Sequence, residues 1–381
     1  MGRGSFQQNI VAIIGILISS YSTAPIAAST SSQAAEAPNV KPAQTPHQKT
    51  PQSSHSTVTG LPDSGQTAPG VDSDTSQAIY KRKASVDRAV TAASSLAIGA
   101  SYRHGDFDFN IASDPTGTQT PNILSELKWD DISILAVDAK AKMRFENDIE
   151  LRGDFTYGLI VEGNNQDSDY LGDNRTNEFS RSNNSTDDGS IIRTSIGVGY
   201  SFDLAQSANR SAMRLTPMLG YAIHQQNFKI KNGYQTISRP PLEMPLGPIL
   251  GLNSSYETDW RGPWVGLELA LLDQNSMSLI AAVEYHWADY EAHGNWNLRK
   301  DLKHPVSFLN TANGEGLVAS LDWIFSRSED WSWSLGVGFE RWKTDPGKHR
   351  VFFIDDTHVN TQLNEVNWKS WGISLEMKHA F

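Results

Sequence analysis

Cysteine is absent from this chain of 381 residues, and its absence removes several classes of chemistry. Disulfide frameworks, thiolate metal sites and cysteine nucleophiles all need this residue. The chain also lacks an apolar run long enough to form a membrane helix in the mature protein. Phosphate-binding glycine loops and zinc-ligand spacings are missing as well, so no cofactor is expected. The formal net charge is -11 and no basic stripe occurs, so nucleic acid is not an expected partner.

The first 90 residues differ in composition from the rest of the chain. Their one apolar run spans residues 10–18, with Arg3 before it and small residues ending at Ala27 and Ala28 after it. This order is typical of a signal peptide, which we predict for residues 1–28. Residues 29–90 are rich in Ser, Thr, Ala, Pro and Gln and have hardly any aromatic residue. We predict a disordered leader there, because such a segment buries too little apolar surface to fold.

The end of the chain alternates between apolar and polar residues. One face of the last eleven residues carries Trp371, Ile373, Leu375, Met377 and Phe381. The residues between them are small or charged, apart from His379, which falls on the apolar face. A period of two with large apolar side chains on one face indicates a strand between lipid and a more polar space. A terminal Phe that closes such a strand resembles the assembly signal of bacterial outer-membrane barrels.

The same alternation occurs nine times before this last strand. The runs lie near residues 96–102, 132–145, 149–162, 192–202, 215–228, 260–272, 277–287, 317–325 and 331–342. Short turns such as 146–148 alternate with long polar loops near 112–122, 164–189, 234–258, 290–314 and 345–363. We therefore predict an all-β fold over residues 91–381, a ten-stranded antiparallel transmembrane β-barrel in the outer membrane, with outer-membrane lipid as its partner.

Charged residues recur on the strand face opposite the apolar one, for example Lys140, Arg152, Glu268, Glu284 and Glu340. A ten-stranded barrel has a narrow interior, so we expect these charges to pair and to fill it rather than to line a conduction path. Tryptophans cluster at the strand ends and predict interfacial girdles; they are Trp260, Trp264, Trp287, Trp323, Trp331, Trp333, Trp368 and Trp371.

Two polar segments near the outer strand ends could carry chemistry. In the first, Asp167 and Asp169 are two residues apart, so an extended chain points both carboxylates to one side. In the second, Glu291 and His293 have the same spacing, and a carboxylate beside an imidazole orients it as a general base. If the two segments faced each other, they could activate a water molecule for hydrolysis of a peptide or protein substrate at the outer rim.

The number of strands, the protruding barrel and these two carboxylate segments resemble the omptin family of outer-membrane endopeptidases. Residues 125–129 also resemble an omptin segment that opens the second strand. Omptins carry an Asp-x-Asp pair in the second outer loop and an Asp-x-His dyad in the fourth. The resemblance implies catalytic roles for Asp167, Asp169, Glu291 and His293, and lipopolysaccharide as a lipid partner. The dyad carboxylate here is Glu, one methylene longer than in the family.

The amino-acid sequences of two segments resemble another family more closely. Residues 165–175 and 284–290 resemble a family of uncharacterised barrels described as Protochlamydia outer membrane proteins. That resemblance implies the fold and the location, but it implies no settled activity.

The spacing of Asp167, Asp169 and Glu178 also follows a calcium loop, with Gly172 at its sixth position. Leu171 occupies a position where a calcium ligand is needed, and Arg175 occupies a position where a cation is unfavourable, so calcium binding is the weaker hypothesis for these residues.

Two functions remain open at this point. One is an omptin-like endopeptidase; the other is a non-catalytic barrel, which could be an adhesin, a lipopolysaccharide-associated structural protein or a narrow pore.

Overall fold

The computed structural model describes residues 94–381, except 207–210, 243, 274–276 and 327–329. The predicted signal peptide, residues 1–28, and the predicted leader, residues 29–90, lie outside the described residues. Among the described residues, no helix has the length and apolar character that crossing a bilayer requires.

The described residues form fourteen strands. They are β1 (Ser94–Ile111), β2 (Ser125–Arg144), β3 (Ile149–Tyr170), β4 (Glu178–Ser185), β5 (Gly189–Tyr200), β6 (Phe202–Gln206), β7 (Ser211–Ser238), β8 (Gly247–Pro248), β9 (Asn253–Asp273), β10 (Met277–Asn295), β11 (Phe308–Ser326), β12 (Trp331–Thr344), β13 (Gly347–Phe352) and β14 (His358–Ala380).

These strands form one antiparallel sheet that closes on itself. Strands β4, β5 and β6 follow one another along one ribbon, β12 and β13 share another, and the two-residue β8 pairs with β7. The ring therefore has ten ribbons. β14 pairs with β1 along almost its whole length, and the Phe381 N–H donates to the Ser94 carbonyl at 3.0 Å. The predicted ten-stranded antiparallel barrel is confirmed, and the pairing of β14 with β1 closes the ring that the described residues form.

The half of the barrel that carries the short turns exposes apolar side chains outward. On β3 these are Leu151, Phe155, Tyr157, Leu159 and Val161. On β14 they are Trp371, Ile373, Leu375 and Met377, as the alternation predicted. This band faces lipid, because apolar side chains that alternate with inward polar ones are what a bilayer selects.

Ion pairs fill the interior at the level of this lipid-facing band. Lys142 lies 2.7 Å from Glu150 and 2.6 Å from Glu268, and Lys140 lies 2.7 Å from Glu376. The expectation that the inner charges pair is borne out at these positions. The pairs leave a chamber of about 260 Å³ between them.

Aromatic side chains fill the interior of the outer half. The rings of Phe107 on β1 and Phe228 on β7 are 4.9 Å apart, and those of Trp129 on β2 and Tyr256 on β9 are 5.6 Å apart. These strands are not neighbours in the sheet, so the rings meet across the interior. We call this group the aromatic core; its fully buried rings are those of Phe107, Phe109, Trp129, Phe228, Tyr256, Trp260, Tyr290 and Trp368.

The inward direction of these rings corrects part of the predicted tryptophan girdles. Trp260, Trp264 and Trp368 are fully buried inside the barrel, whereas Trp287, Trp331, Trp333 and Trp371 are exposed on its outside. On β2 a bulge at Asp130 and Asp131 shifts the register against β3. On this strand the extra residue exchanges the faces that side chains occupy, so Leu135 and Val137 point outward below the bulge, whereas Trp129, also odd-numbered, points inward above it.

The strands also extend beyond the predicted runs. β3 continues to Tyr170 and β10 to Asn295, where long loops from residues 164 and 290 were predicted. Those loop boundaries were wrong because the outer parts of the strands stand in water and carry polar residues on their outside. Both predicted polar segments therefore lie on strands, where the alternation of the chain fixes the direction of each side chain.

Candidate functional site

Asp167 and Asp169 lie on the inward face of β3, near its outer end. Asp167 pairs in register with Leu127 of the buried core, and Asp169 pairs with the buried Ser125. Val161 is the last exposed apolar residue on this strand, six residues before Asp167. At about 3.3 Å per residue, the two carboxylates lie roughly 20 Å along the strand from the lipid-facing band.

Burial and mutual repulsion act on this carboxylate pair. Burial, together with the negative charge of Asp169, raises the pKa of Asp167 well above its usual range. Burial raises the pKa of Asp169 to about 6, although hydrogen bonds from Ser125 and Ser180 and the charge of Arg299 act in the opposite direction. Two carboxylates side by side, with Asp169 buried and Asp167 half-buried, disfavour double ionisation, so the pair holds a proton more tightly than free aspartates do.

The pair makes the stability of the barrel depend on pH. Because the folded pKa values exceed the unfolded value, the native state binds more protons, and the free energy of unfolding falls as pH rises from about 4 through 6. We expect Asp167→Asn to raise the free energy of unfolding by about 2 kcal/mol at pH 8, and the gain to vanish near pH 4. Urea unfolding in detergent micelles, followed by tryptophan fluorescence, measures the difference.

The matched control for that experiment is Asp289→Asn, which removes an exposed carboxylate from the outer face of β10. Its effect should stay within about 0.5 kcal/mol across the same pH range. A gain for Asp167→Asn that is equally large at pH 4 and pH 8 would show that the buried charge does not cause it.

Glu291 and His293 lie on the outward face of β10. The residues that alternate with them, Tyr290 and Ala292, are fully buried in the core. The side chains of Glu291 and His293 remain 49% and 43% exposed, and a carboxylate oxygen of Glu291 lies 3.5 Å from Nε2 of His293. The expected contact between carboxylate and imidazole is present, but it faces the surroundings of the barrel.

The structure does not bring the four sequence-predicted residues together. The aspartates point into the barrel from β3, between β2 and β4, whereas Glu291 and His293 point away from it on β10, between β9 and β11. Hydrolysis by water activation needs the base and the carboxylate pair on one cleft, within reach of the same water. The catalytic roles of these residues stay a prediction. Their side chains do not line one common cleft, which water activation would require.

The three calcium candidates do not gather either. Asp167 and Asp169 lie in β3, and Glu178 begins β4. Both carboxylate oxygens of Glu178 accept hydrogen bonds from Arg181, each at 2.7 Å. Arg175, at the ninth position, turns to Glu126 with a closest distance of 2.6 Å. A calcium loop must wrap its oxygens around one ion, and an extended hairpin with an engaged Glu178 does not do so.

A different cluster could hold a cation, and no motif in the sequence predicted it. Ligand atoms of His104, Asp106 and Asp131 lie within 4.8 Å of one another on the outer side of the barrel. The bulge on β2 brings Asp131 to the other two. The Lys369 ammonium lies 3.1 Å from Asp106, and the Asp131 N–H donates to Asp106 at 3.0 Å. These existing partners account for much of the charge of Asp106.

A buried polar chain crosses the aromatic core, and sequence reasoning missed it as well. The Asn310 amide donates to the Tyr256 hydroxyl at 2.8 Å, and the Tyr256 and Tyr290 hydroxyls are 2.8 Å apart. Nδ1 of His349 donates to Oδ1 of Asn310 at 2.6 Å. Burial lowers the pKa of His349 to about 3, so this imidazole is neutral. Each member has a partner within the core, so the chain satisfies buried polar groups.

Glu340 lies at the boundary between the charged chamber and the aromatic core. It accepts hydrogen bonds from Trp368 Nε1 at 3.1 Å and from Ser370 Oγ at 2.7 Å. The guanidinium groups of Arg103 and Arg193 lie 3.7 Å and 3.4 Å from its two oxygens. One buried carboxylate therefore holds two cations from β1 and β5 beneath the aromatic rings.

Comparison with known proteins gives a family and a fold. A family model described as Protochlamydia outer membrane protein matches residues 97–381. No curated protein matches the chain. Among solved structures, the outer membrane protease OmpT from Escherichia coli is similar, with 12% identity over 76% of this chain and 96% of that chain and a TM-score of 0.61.

Two further structures match with lower scores. The translocator domain of the autotransporter NalP from Neisseria meningitidis has 11% identity over 81% of this chain and 96% of its own, with a TM-score of 0.30. The outer membrane protein OprG from Pseudomonas aeruginosa has 10% identity over 76% and 97%, with a TM-score of 0.27. At such identities, the likeness to OmpT shows the fold and leaves the activity open.

Proposed function

The chain belongs to the Protochlamydia outer membrane protein family and lies in the outer membrane, and from this premise we propose that it is a sealed, non-catalytic barrel that displays its outer loops at the cell surface. The observation that carries the proposal is the aromatic core. Rings from ribbons on different sides of the barrel touch across its interior, so the outer half is packed like the core of a soluble domain.

The chamber beneath the core supports the same function. Its volume of about 260 Å³ is below the range of most small-molecule sites, and paired charges line it. Moving an ion through it would require separation of these pairs and displacement of buried rings such as Phe228 and Trp368. Packing of this kind suits a rigid support for loops better than a path for solutes.

The outer strands provide that support. β7 has 28 residues and β14 has 23, more than the 9 to 11 that cross a bilayer. The excess length carries the connecting loops away from the lipid. A rigid and extended outer end suits contact with another surface, the adhesive or structural role that was one of the two functions left open by the sequence.

Electrical recording tests the proposal. We expect the refolded full chain to give no single-channel steps in a planar bilayer, because the aromatic core blocks the interior. Phe228→Ala removes a ring that lies 4.9 Å from Phe107 and 5.3 Å from Trp129, and it should raise the leak conductance. Regular open steps in the unsubstituted protein would rule out a sealed barrel.

One observation favours a second candidate, an omptin-like endopeptidase. Asp167 and Asp169 form an inward-facing carboxylate pair that retains a proton, a feature of sites that activate water. The outward direction of Glu291 and His293 opposes it, because the predicted base then does not face the pair.

A peptide assay separates the two candidates. The sealed-barrel proposal expects no cleavage of a dibasic fluorogenic peptide by the refolded protein in the presence of lipopolysaccharide. Cleavage that disappears in both Asp169→Asn and His293→Ala would support the endopeptidase instead. Cleavage that persists in both variants points to a contaminating protease.

A further inference from the structure

The connection between β7 and β9 ends in an apolar segment at the outer end of the barrel. Residues 244–252 read Met-Pro-Leu-Gly-Pro-Ile-Leu-Gly-Leu. None of these side chains is charged, and the only polar atom among them is the thioether sulfur of Met244, a weak hydrogen-bond acceptor. We call residues 244–252 the apical loop. The side chains of Leu246 and Leu250 are 63% and 86% exposed there. An exposed cluster of large apolar side chains marks an interaction site.

The apical loop is held in place at several points. Gly247 and Pro248 form β8 and pair with Gln235 and Tyr234 of β7. The Ile249 N–H donates to the Gly233 carbonyl at 2.7 Å, and the Asn297 amide donates to the Gly251 carbonyl at 2.7 Å. Gly247 and Gly251 have positive φ angles of 127° and 75°, which few other residues adopt. The two leucines are therefore presented on a fixed backbone.

Packing inside the loop explains why these two side chains project. Leu252 packs against the buried core, and Ile249 and Leu252 lie over Gly233. Leu246 and Leu250, in contrast, remain largely exposed.

The lipid of the barrel's own membrane does not cover this tip. On β7 the last exposed apolar residue of the lipid-facing band is Ile223, and the outward residues that follow include Gln225. The apical loop pairs with Tyr234 and Gln235, and Tyr234 is 11 residues beyond Ile223, about 36 Å along the strand at 3.3 Å each. The leucines therefore lie well beyond the lipid-facing band, where water surrounds the barrel.

We propose that the apical loop inserts Leu246 and Leu250 into the lipid bilayer of an apposed membrane. An exposed loop of nine residues without charged, hydroxyl or amide side chains suits a fluid apolar phase, whereas protein interfaces surround their apolar centre with a polar rim. Tyr234, paired in register with Pro248, is exposed beside the tip, and tyrosine favours the membrane–water interface. The loop carries no cation among its described residues, so zwitterionic lipid is sufficient.

This proposal rests on the display role of the barrel, and its test is independent of conductance. The full chain, refolded and kept soluble in an amphipathic polymer, is floated with phosphatidylcholine vesicles. We expect it to rise with the vesicles, and the double variant Leu246→Ser/Leu250→Ser to bind at least about tenfold more weakly. Ile354→Ser is the matched control, because Ile354 is an exposed apolar residue of another outer hairpin.

The absence of native cysteine allows a second measurement by site-specific labelling. An environment-sensitive dye on Leu250→Cys should shift to shorter wavelength on addition of vesicles, whereas the same dye on Thr118→Cys, an exposed position in the loop after β1, should not. Failure of the dye on Leu250→Cys to shift would overturn the proposal even if the serine variants lose their fold.

Three other outcomes would also overturn it. An equal loss of binding for Ile354→Ser would assign vesicle binding to general surface apolarity. Binding that requires anionic lipid would assign it to charged residues elsewhere. Dimers that separate in the Leu246→Ser/Leu250→Ser variant, without vesicle binding by the unsubstituted protein, would identify a second copy of the chain as the occupant. None of these three outcomes changes the expected conductance, so the planar-bilayer recording tests the sealed-barrel proposal separately.

Discussion

Glu340→Gln is expected to lower the free energy of unfolding by about 3–5 kcal/mol, because it removes a buried carboxylate and leaves two half-buried guanidinium groups without their partner. Glu340 is 2% exposed, and Arg103 and Arg193 lie 3.7 Å and 3.4 Å from its oxygens. The amide oxygen of glutamine can still accept from Trp368 and Ser370, so the substitution removes mainly the charge. Urea unfolding of the refolded barrel in detergent micelles measures the loss.

Two comparisons make this result specific to the buried charge. Glu315→Gln removes an exposed carboxylate that accepts from Tyr285 and should change the free energy of unfolding by less than about 0.5 kcal/mol. Glu340→Gln/Arg193→Gln removes one charge of each sign and should recover part of the loss. Equal losses in the single and the double variant would mean that the ion pair does not cause the effect.

Trp129→Ala is expected to cost about 3–5 kcal/mol, because it opens a cavity at the centre of the aromatic core. The Trp129 ring is fully buried, and the rings of Phe107, Phe228 and Tyr256 lie 5.3–5.6 Å from it. Phe107 comes from β1, which pairs with β2, whereas Phe228 and Tyr256 come from β7 and β9, which do not pair with β2, so the indole connects strands across the interior. The midpoint of urea unfolding should fall accordingly.

Trp287→Ala is the control for the aromatic core. Trp287 is a residue of the same type that lies half-exposed on the outside of β10. Its truncation leaves no internal cavity, so the loss should be clearly smaller than for Trp129→Ala. Equal losses for the two tryptophans would contradict an interior in which packing across the barrel stabilises the outer half.

The period of two at the C-terminus was enough to predict the strand that closes the barrel. Trp371, Ile373 and Leu375 alternate with smaller or charged residues because one face of β14 meets lipid and the other meets the paired charges of the interior. The same pattern in nine earlier runs gave the number of ribbons. A bilayer requires this alternation in each strand independently, so the alternation can be recognised in the sequence without any knowledge of the neighbouring strands.

The pairing of the inner charges was predictable in kind but not in partner. Lys142 and Glu268 lie 126 residues apart in the chain and meet at 2.6 Å. Their contact depends on the curvature of the closed sheet and on its register. The individual residues show only that each faces inward.

The predictions that failed, the loop boundaries and part of the tryptophan girdles, concern the outer half of the barrel. The cause is a change of surroundings, from lipid to water, along a single strand. Val137 on β2 points outward because lipid surrounds it, and Trp129 on the same strand points inward because water surrounds the barrel at that height. The bulge at Asp130 and Asp131 exchanges the inward and outward faces of the strand, and no sequence pattern near these residues predicted it.

The candidate site depends on that same exchange. The spacing of two residues correctly put Asp167 beside Asp169 and Glu291 beside His293, because alternation along a strand is a local property. Which pair faces inward depends on the register of each strand within the closed sheet. The chain itself thus prescribed a lipid-embedded barrel of ten ribbons. Only the three-dimensional arrangement decided that the aspartates face inward, that the dyad faces away from them and that aromatic rings close the interior. Register, bulges and contacts across the barrel arise between residues far apart in sequence.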